Sequence, residues 1–257
     1  MSVIDLYFRE YGRSNVEPLI LLHGLFGSSM NWMGIARRLE SDFRVLIPDL
    51  RNHGRSPHSE QMDYAGMAQD LLGLMNSQAI RSAHFIGHSM GGKIAMWLAL
   101  AQPERVEKLV VVDVAPVTYD HQFEAIFTGL AGIDLQQLPD RQAADQLLAR
   151  QVRSGAVRQY LLQNLVKTAG AWRWRFNLPV LRDRLSVLTG FPDAHDRTFP
   201  GDVLCIYGAQ SDYVKPEYIP AMRRLFPFAR LRMLAGAGHW VYAEQPEGFS
   251  QAVRAFL

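Results

Sequence analysis

A serine between two glycines is the residue of this chain best placed to act as a nucleophile. Ser89 stands in Gly87-His-Ser-Met-Gly91, after a short apolar run and before a stretch with helical periodicity. A strand that turns into a helix within about one turn lifts the serine Oγ clear of the sheet, and glycine avoids collisions beside it. The N–H of the next residue, Met90, then points to where negative charge develops on an attacked carbonyl. These residues predict acyl transfer through Ser89.

A serine hydroxyl needs a neighbouring base, and we predict that the base is His239. It lies in the glycine-rich turn Ala235-Gly-Ala-Gly-His-Trp240, directly after the last predicted strand. This turn places the imidazole at the same edge of the sheet as Ser89. His239 is also the only histidine after the long insertion described below. Two acidic residues compete for the role of orienting it: Asp113, at the end of a predicted strand, and Asp212, in the loop after the penultimate predicted strand.

A second donor for an oxyanion is expected in the loop His23-Gly-Leu-Phe-Gly27, which follows another apolar run. Its two glycines allow a tight turn whose N–H groups point inward, and we predict Leu25 as the donor beside Met90. A plain connection between strand and helix is the alternative. His53, in the loop that starts at Asp49, is expected to be a structural histidine packed beneath the site.

Several further side chains are predicted to contact substrate. Arg175 could bind a carboxylate or phosphate, because a guanidinium recognises both in a bidentate manner. The cluster of Trp172, Arg173, Trp174 and Arg175 could instead anchor one part of the chain to another. The predicted substrate-contacting residues are Phe26, His88, Trp174, Arg175 and Trp240.

The elements that position these residues alternate between apolar runs and helical stretches. Continuous apolarity between helices is typical of a parallel sheet covered on both faces, so we predict a doubly wound α/β fold. A hairpin over residues 3–12 is expected to precede it. Predicted strands are 19–22, 43–47, 83–86, 109–114, 203–207 and 231–234, and predicted crossover helices are 32–39, 64–77, 90–101, 217–225 and 246–256.

One connection is far longer than the others. Between Pro116 and Val203 the chain has many more residues than the dozen or so that a crossover needs. We predict a helical cap over residues 117–198, inserted before the penultimate strand into a core of residues 1–116 and 199–257. Its predicted helices are 122–130, 141–152, 157–168 and 179–188.

Composition and charge limit the kinds of partner molecule that we expect for this chain. Lysine and arginine total 27 against 25 aspartates and glutamates, without a basic run, so nucleic acid is not expected. No leader-like start or membrane-spanning stretch is recognised, which favours a cytoplasmic protein. The single cysteine, Cys205, is expected to be a buried structural thiol. The histidines and carboxylates show no metal-ligand spacing, and no metal is predicted.

Six segments occur in order along the chain: LLHGLFGSS, DLRNHGRSP, FIGHSMGGK, VDVAP, WRFNLPVL and GAGHWV. Together they resemble the YbfF-type esterases of the α/β-hydrolase family, and the wider resemblance covers essentially the full chain. It implies a carboxylic ester or thioester hydrolase that uses no cofactor and acts on a small-molecule substrate. The residues themselves imply only serine-based acyl transfer, and they do not indicate an oligomeric state.

The resemblance also bears on the acid. Most of the family carries it in the loop after the penultimate strand, where Ser211 occupies the matching position of this chain and Asp212 lies one residue late. The YbfF-type pattern instead places the acid at Asp113, with a serine in the later loop. We therefore expect Asp113 to orient His239 with support from Ser211, and Asp212 is the alternative.

Three other functions fit the same fold, since fold alone does not determine function. An acyl thioesterase or a carbon–carbon bond hydrolase could use the same three side chains, and a non-catalytic ligand receptor could keep the pocket. An intact Ser89 and His239 argue against the receptor. The expected function is a serine carboxylesterase for short- to medium-chain esters.

Overall fold

The computed structural model describes residues 2–120 and 123–257. The strands of this part are β1 (Phe8–Tyr11), β2 (Pro18–Leu22), β3 (Arg44–Pro48), β4 (Ala83–His88), β5 (Val106–Val112), β6 (Leu165–Thr168), β7 (Ala171–Trp174), β8 (Asp202–Gly208) and β9 (Arg230–Leu234). The helices are α1 (Met33–Leu39), α2 (Tyr64–Ser77), α3 (Met90–Ala101), α4 (Glu124–Ala131), α5 (Arg141–Leu148), α6 (Gly155–Leu162), α7 (Leu178–Asp183), α8 (Leu185–Thr189), α9 (Ile219–Leu225), α10 (Val241–Glu244) and α11 (Pro246–Phe256).

The main sheet has the order β1-β3-β2-β4-β5-β8-β9 across the described residues. Only β1 runs antiparallel to its neighbour there, and the other pairs are parallel. Every residue of β4 is buried, as expected for a central strand with helices on both faces. The predicted doubly wound α/β fold is thus confirmed. Parallel strands bring the ends of β4, β5 and β8 to one edge of the sheet, where the predicted site residues follow.

The predicted crossover helices 64–77, 90–101 and 246–256 agree with α2, α3 and α11. The predicted helices 32–39 and 217–225 differ from the structure, because each begins with a short 3₁₀ turn. The hairpin expected at residues 3–12 is wrong, because only Phe8–Tyr11 is a strand, paired with β3. The preceding N–H groups of Ile4 and Tyr7 bond to the side chains of Asp70 and Ser56, at 2.7 and 2.9 Å. These contacts replace the partner strand that a hairpin would need.

The insertion between β5 and β8 contains helices α4 to α8 and, against prediction, a small antiparallel sheet of β6 and β7. The predicted helix 157–168 is wrong at its C-terminal end, since α6 stops at Leu162. The chain then reverses at Ala169 and Gly170, both with positive φ, at 50° and 85°. Gln122, where another cap helix was predicted to start, lies outside the described residues. The division into core and cap stays a prediction.

A buried lysine ties this insertion to the helix after Ser89. Lys93 of α3 is 1 % exposed, and its Nζ donates to the carbonyl oxygens of Val117, Thr189 and Gly190 at 2.6 to 2.7 Å. These three acceptors match the three N–H bonds of an ammonium group. The first and last segments of the insertion are therefore held at the same point of α3. No helix in the described ranges has the length and apolarity needed to cross a bilayer.

Candidate active site

Ser89 occupies a strained turn between β4 and α3. Its φ and ψ are 52° and −118°, an uncommon conformation for a residue with a side chain, and its N–H donates to the Val112 carbonyl at 3.0 Å. A Cβ at Gly87 would lie 2.3 Å from the Gly91 carbonyl oxygen, and one at Gly91 would lie 2.5 Å from that of Leu22. Both glycines are therefore required by close backbone contacts, which hold the serine in this geometry.

Asp113 and His239 meet beside this turn. Asp113 follows β5, the parallel neighbour of β4, and His239 Nδ1 donates to its Oδ2 at 2.7 Å. The Asp113 side chain is fully buried, with an exposed fraction of 0 %. Gly208 N–H donates to Oδ1 at 3.1 Å, and the Ser211 hydroxyl donates to Oδ2. The carboxylate is thus held by three donors from β8, the following loop and the histidine turn.

Asp212, the alternative acid, lies elsewhere. Its side chain is 86 % exposed, and its carboxylate lies 3.8 Å from Lys215 Nζ. The adjacent Ser211 points inward to Asp113 and accepts a hydrogen bond from the Tyr213 N–H at 3.2 Å. The structure therefore brings Asp113 and Ser211 together with His239, and it directs Asp212 to the surface.

Burial has a large effect on the Asp113 carboxyl group. Desolvation raises the pKa of Asp113 to about 6, while the hydrogen bonds from Ser211 and Gly208 act in the opposite direction because they favour the ionised form. The Asp113 carboxylate therefore takes up a proton at a higher pH than an ordinary aspartate does. The hydrogen bonds from Ser211 and Gly208 limit this rise in its pKa.

Two aromatic side chains fix the position of His239. The ring of Tyr213 stacks on the imidazole with centroids 3.9 Å apart and planes inclined by 18°. His88 Nε2–H donates to the His239 carbonyl at 3.0 Å. Burial lowers the pKa of His88 to about 3, so this ring stays neutral and is unsuited to act as the base. Tyr213 was missed by the sequence analysis, although it follows Ser211 in the predicted acid loop.

The loop after β2 is fixed by contacts on both sides. Phe26 N–H donates to His53 Nε2 at 3.2 Å, and the Leu25 carbonyl accepts from Tyr160 Oη at 2.9 Å. Asn164 Nδ2 donates to the Phe26 carbonyl at 2.6 Å. His53 is fully buried, as expected for a structural histidine. The peptide groups flanking Leu25 are therefore held in place by a core histidine and by two residues of the insertion.

An apolar cavity of about 300 Å³ opens beside Ser89 and His239. Of the residues predicted to contact substrate, Phe26, His88 and Trp240 line it. Leu25 lines it too, and Met90 lines a small adjoining pocket with Ser89. The remaining walls, which the sequence analysis missed, come mainly from the insertion: Phe123, Ile126, Val157, Tyr160 and Leu161. Their i, i+3 and i, i+4 spacings are the signal that could have identified them.

Trp174 and Arg175, which were also predicted to contact substrate, do not line this cavity. Trp174 is buried against Phe176, with stacked rings whose centroids are 5.2 Å apart, and Phe176 separates it from Phe26 of the cavity wall. Arg175 points into a different cleft. Because residues alternate between the two faces of an extended segment, the aromatic side chains turn inward and the arginines turn outward. The alternative interpretation of this cluster as an anchor stays a prediction, and the ring contact that joins this segment to the loop after β2 is that of Phe176 with Phe26.

Cys205 is fully buried in β8, and burial raises its pKa to about 12, so it is a structural thiol as predicted. Within residues 2–120 and 123–257 no group of three or more histidine, cysteine or acidic side chains could hold a metal ion.

Comparison with known proteins agrees with this fold. The family described as "alpha/beta hydrolase fold" matches residues 17–246. Esterase YbfF of Escherichia coli is 39 % identical over 95 % of this chain and 94 % of its own length. Mouse sn-1-specific diacylglycerol lipase ABHD11 is also 39 % identical, over 96 % of this chain and 82 % of its own. A solved structure titled "Marine microorganism esterase" covers 99 % of this chain and 100 % of its own, at a TM-score of 0.96 and 39 % identity. The chain belongs to the α/β-hydrolase family.

Proposed function

We propose that this protein is a carboxylic ester hydrolase that forms an acyl-enzyme on Ser89. The observation that carries the proposal is the shared cavity. A serine on a strained turn and a histidine bonded to a buried aspartate line one apolar space. The relatives named esterase YbfF and sn-1-specific diacylglycerol lipase support ester chemistry.

In this mechanism His239 accepts the Ser89 hydroxyl proton as the oxygen attacks the ester carbonyl. Asp113 keeps the proton of the neutral imidazole on Nδ1 and stabilises the imidazolium that forms. The imidazolium then gives its proton to the departing alcohol, leaving an acyl group on Ser89 Oγ. Water attacks this acyl group with His239 again acting as the base, and Ser89 regains its proton.

Two N–H groups are proposed to stabilise the oxyanion. Met90 is the first residue of α3, so its N–H lacks an acceptor within the helix. The N–H of Phe26 already donates to His53, which leaves the Leu25 N–H as the inward donor of that loop. Tyr160 and Asn164 bond to the carbonyls of Leu25 and Phe26, so the insertion also positions the oxyanion loop.

The pH dependence should respond to Ser211. Its hydroxyl favours ionised Asp113, so the Ser211→Ala variant should bind a proton at the Asp113–His239 pair more readily. Since protonation inactivates the pair, the acid limb of the kcat/KM profile should move to higher pH in this variant. The profiles should be recorded from pH 4 to about 9 beside an Asp212→Asn control. An acid limb at unchanged or lower pH would contradict the contribution of Ser211 to the pair.

Chain-length selectivity tests the proposed substrate class. In a series of p-nitrophenyl esters, kcat/KM should rise from acetyl to medium chains, by up to about fourfold per CH₂, and then fall once the cavity is filled. Val157→Phe, which narrows the cavity, should shift the optimum to shorter chains. Val187→Phe changes a partly exposed cap valine outside the cavity and should leave the optimum unchanged.

The same series should include acyl thioesters and a long-chain diacylglycerol. Ester turnover well above thioester turnover supports the proposal, and the reverse would favour the thioesterase alternative. Rates that keep climbing with long lipid chains, or jump at an oil–water interface, would contradict a cavity of fixed depth.

A further inference from the structure

A second cleft lies outside the proposed catalytic cavity, where the loop after β3 meets the end of β7. Its volume is about 450 Å³, compared with about 300 Å³ for the cavity beside Ser89. The residues that line it are Gly54, Arg55, Ser56, His58, Arg173 and Arg175. Both parts of the fold contribute to this cleft, and the mechanism proposed above uses none of these residues.

The three arginines of this cleft have neutral partners. Arg55 Nη1 donates to Tyr7 Oη at 3.0 Å, and Arg173 Nε donates to Thr168 Oγ1 at 3.0 Å. Arg175 Nη1 contacts the Met30 sulfur at 3.8 Å. Among residues 2–120 and 123–257, none of the three has a carboxylate oxygen within the 4.0 Å of a salt bridge. Each of the three arginines keeps guanidinium N–H groups that could donate hydrogen bonds to an anion.

The positive charges act on one another. The pKa of Arg175 is lowered, first by burial and then by the charge of Arg55, with smaller contributions from Arg173 and Arg9. Asp49 acts in the opposite direction, but backbone N–H groups already hold its two oxygens at 2.6 and 2.8 Å. At Arg175 the charges of three other arginines therefore act against that of one buried carboxylate, and an added anion would offset this repulsion.

The cleft is held in a defined shape. Arg173 and Arg175 alternate with Trp174 and Phe176, whose inward aromatic rings anchor the segment. The Asn177 N–H donates to the Asn52 carbonyl at 2.9 Å, joining this segment to the loop after β3. The arginine backbones are thus fixed before any ligand binds, which lowers the entropic cost of binding.

We propose that this cleft binds a phosphate group, carried by a soluble molecule or by a lipid headgroup. Guanidinium groups pair with phosphate oxygens through parallel hydrogen bonds. Three arginines offer more donors and charge than a single carboxylate can use, which favours a multiply charged phosphate. The volume leaves room for the organic part of the ligand. This proposal is independent of the proposed ester hydrolysis.

The test is isothermal titration calorimetry with inorganic pyrophosphate at constant ionic strength. Saturable binding should be weakened about tenfold or more in Arg55→Gln and in Arg173→Gln, because each loses a charge-assisted contact. A second arm measures binding to phosphatidylcholine vesicles with and without phosphatidic acid. If pyrophosphate binds and the arginine variants weaken that binding, the ligand is a soluble phosphate. If only vesicles with phosphatidic acid bind in this arginine-dependent manner, the ligand is a lipid headgroup. Either result supports a phosphate site.

Arg182→Gln is the matched control, because Arg182 is a half-exposed arginine of the insertion that pairs with Glu124 at 2.9 Å. It should bind pyrophosphate as the unmodified protein does. The proposal is overturned if neither arm shows binding, if the Arg55 and Arg173 variants bind normally, or if the control weakens binding equally. A thermal melting curve of each variant reports its folding without relying on ester hydrolysis, so a failed cleft proposal stays distinguishable from a failed enzyme proposal.

Discussion

Replacement of Ser89 by alanine should lower the kcat for p-nitrophenyl ester hydrolysis by about 10⁴- to 10⁶-fold and leave the fold intact. The attacking oxygen is lost, while the cavity, His239 and the oxyanion donors remain. Folding should persist because alanine adds no atom to the tight turn and loses only the hydroxyl group. Steady-state rates with a medium-chain ester and a thermal melting curve would measure the two effects.

A serine away from the cavity provides the control. Ser186 is an exposed residue of α8, and Ser186→Ala should retain the original rate. If Ser89→Ala kept more than about a tenth of the activity, Ser89 could not be the nucleophile, since loss of a nucleophile elsewhere has far larger effects.

The second large effect is expected at Asp113. Asp113→Asn should lower kcat by about 10²- to 10⁴-fold, because an amide neither holds the imidazole in the right tautomer nor compensates the imidazolium charge. Asp212→Asn is the matched control. Asp212 directly follows Ser211 in the sequence, but its side chain is 86 % exposed. The kcat of the Asp212→Asn variant should remain close to that of the unmodified protein. Both variants should be compared at the same pH and with the same ester.

The opposite result would reverse the assignment. If Asp212→Asn lost activity and Asp113→Asn kept it, the acid would come from the loop after β8, and that loop would have to rearrange to bring Asp212 to His239. Near-normal activity of both variants would show that neither carboxylate is needed for the histidine to act.

The sequence supports the central residues because local rules determine their placement. Gly87 is required by backbone contacts with Gly91 and Gly92, which lie within a few residues of Ser89, so a short motif carries that information. Gly91 is required by the close approach of Leu22, which the motif alone does not show. His239 follows directly from its position after the last strand. Asp113 is different, because its contact with His239 spans 126 positions. The residues alone left two acids open, and only the resemblance to a family favoured one of them.

The insertion was harder to predict because its structure depends on distant contacts. Leu165–Thr168 continues an apolar pattern that a helix could also bury, and its strand forms because the chain reverses at positive φ and β7 pairs with it. Arg175 could not be placed from its neighbours in sequence. Its direction follows from the packing of Phe176 on Phe26 and from the Asn177–Asn52 contact between the insertion and the core.

The central claim is that Ser89 Oγ forms the covalent intermediate, and labelling with a p-nitrophenyl alkylphosphonate tests it most directly. The serine oxygen attacks phosphorus, p-nitrophenolate departs, and the stable phosphonyl group that remains cannot be turned over like an acyl group. We expect one p-nitrophenolate released per chain, with the added mass on the peptide that contains Ser89, and no label on Ser89→Ala. Labelling of a different residue, equal labelling of Ser89→Ala, or no labelling of the unmodified protein would contradict the account.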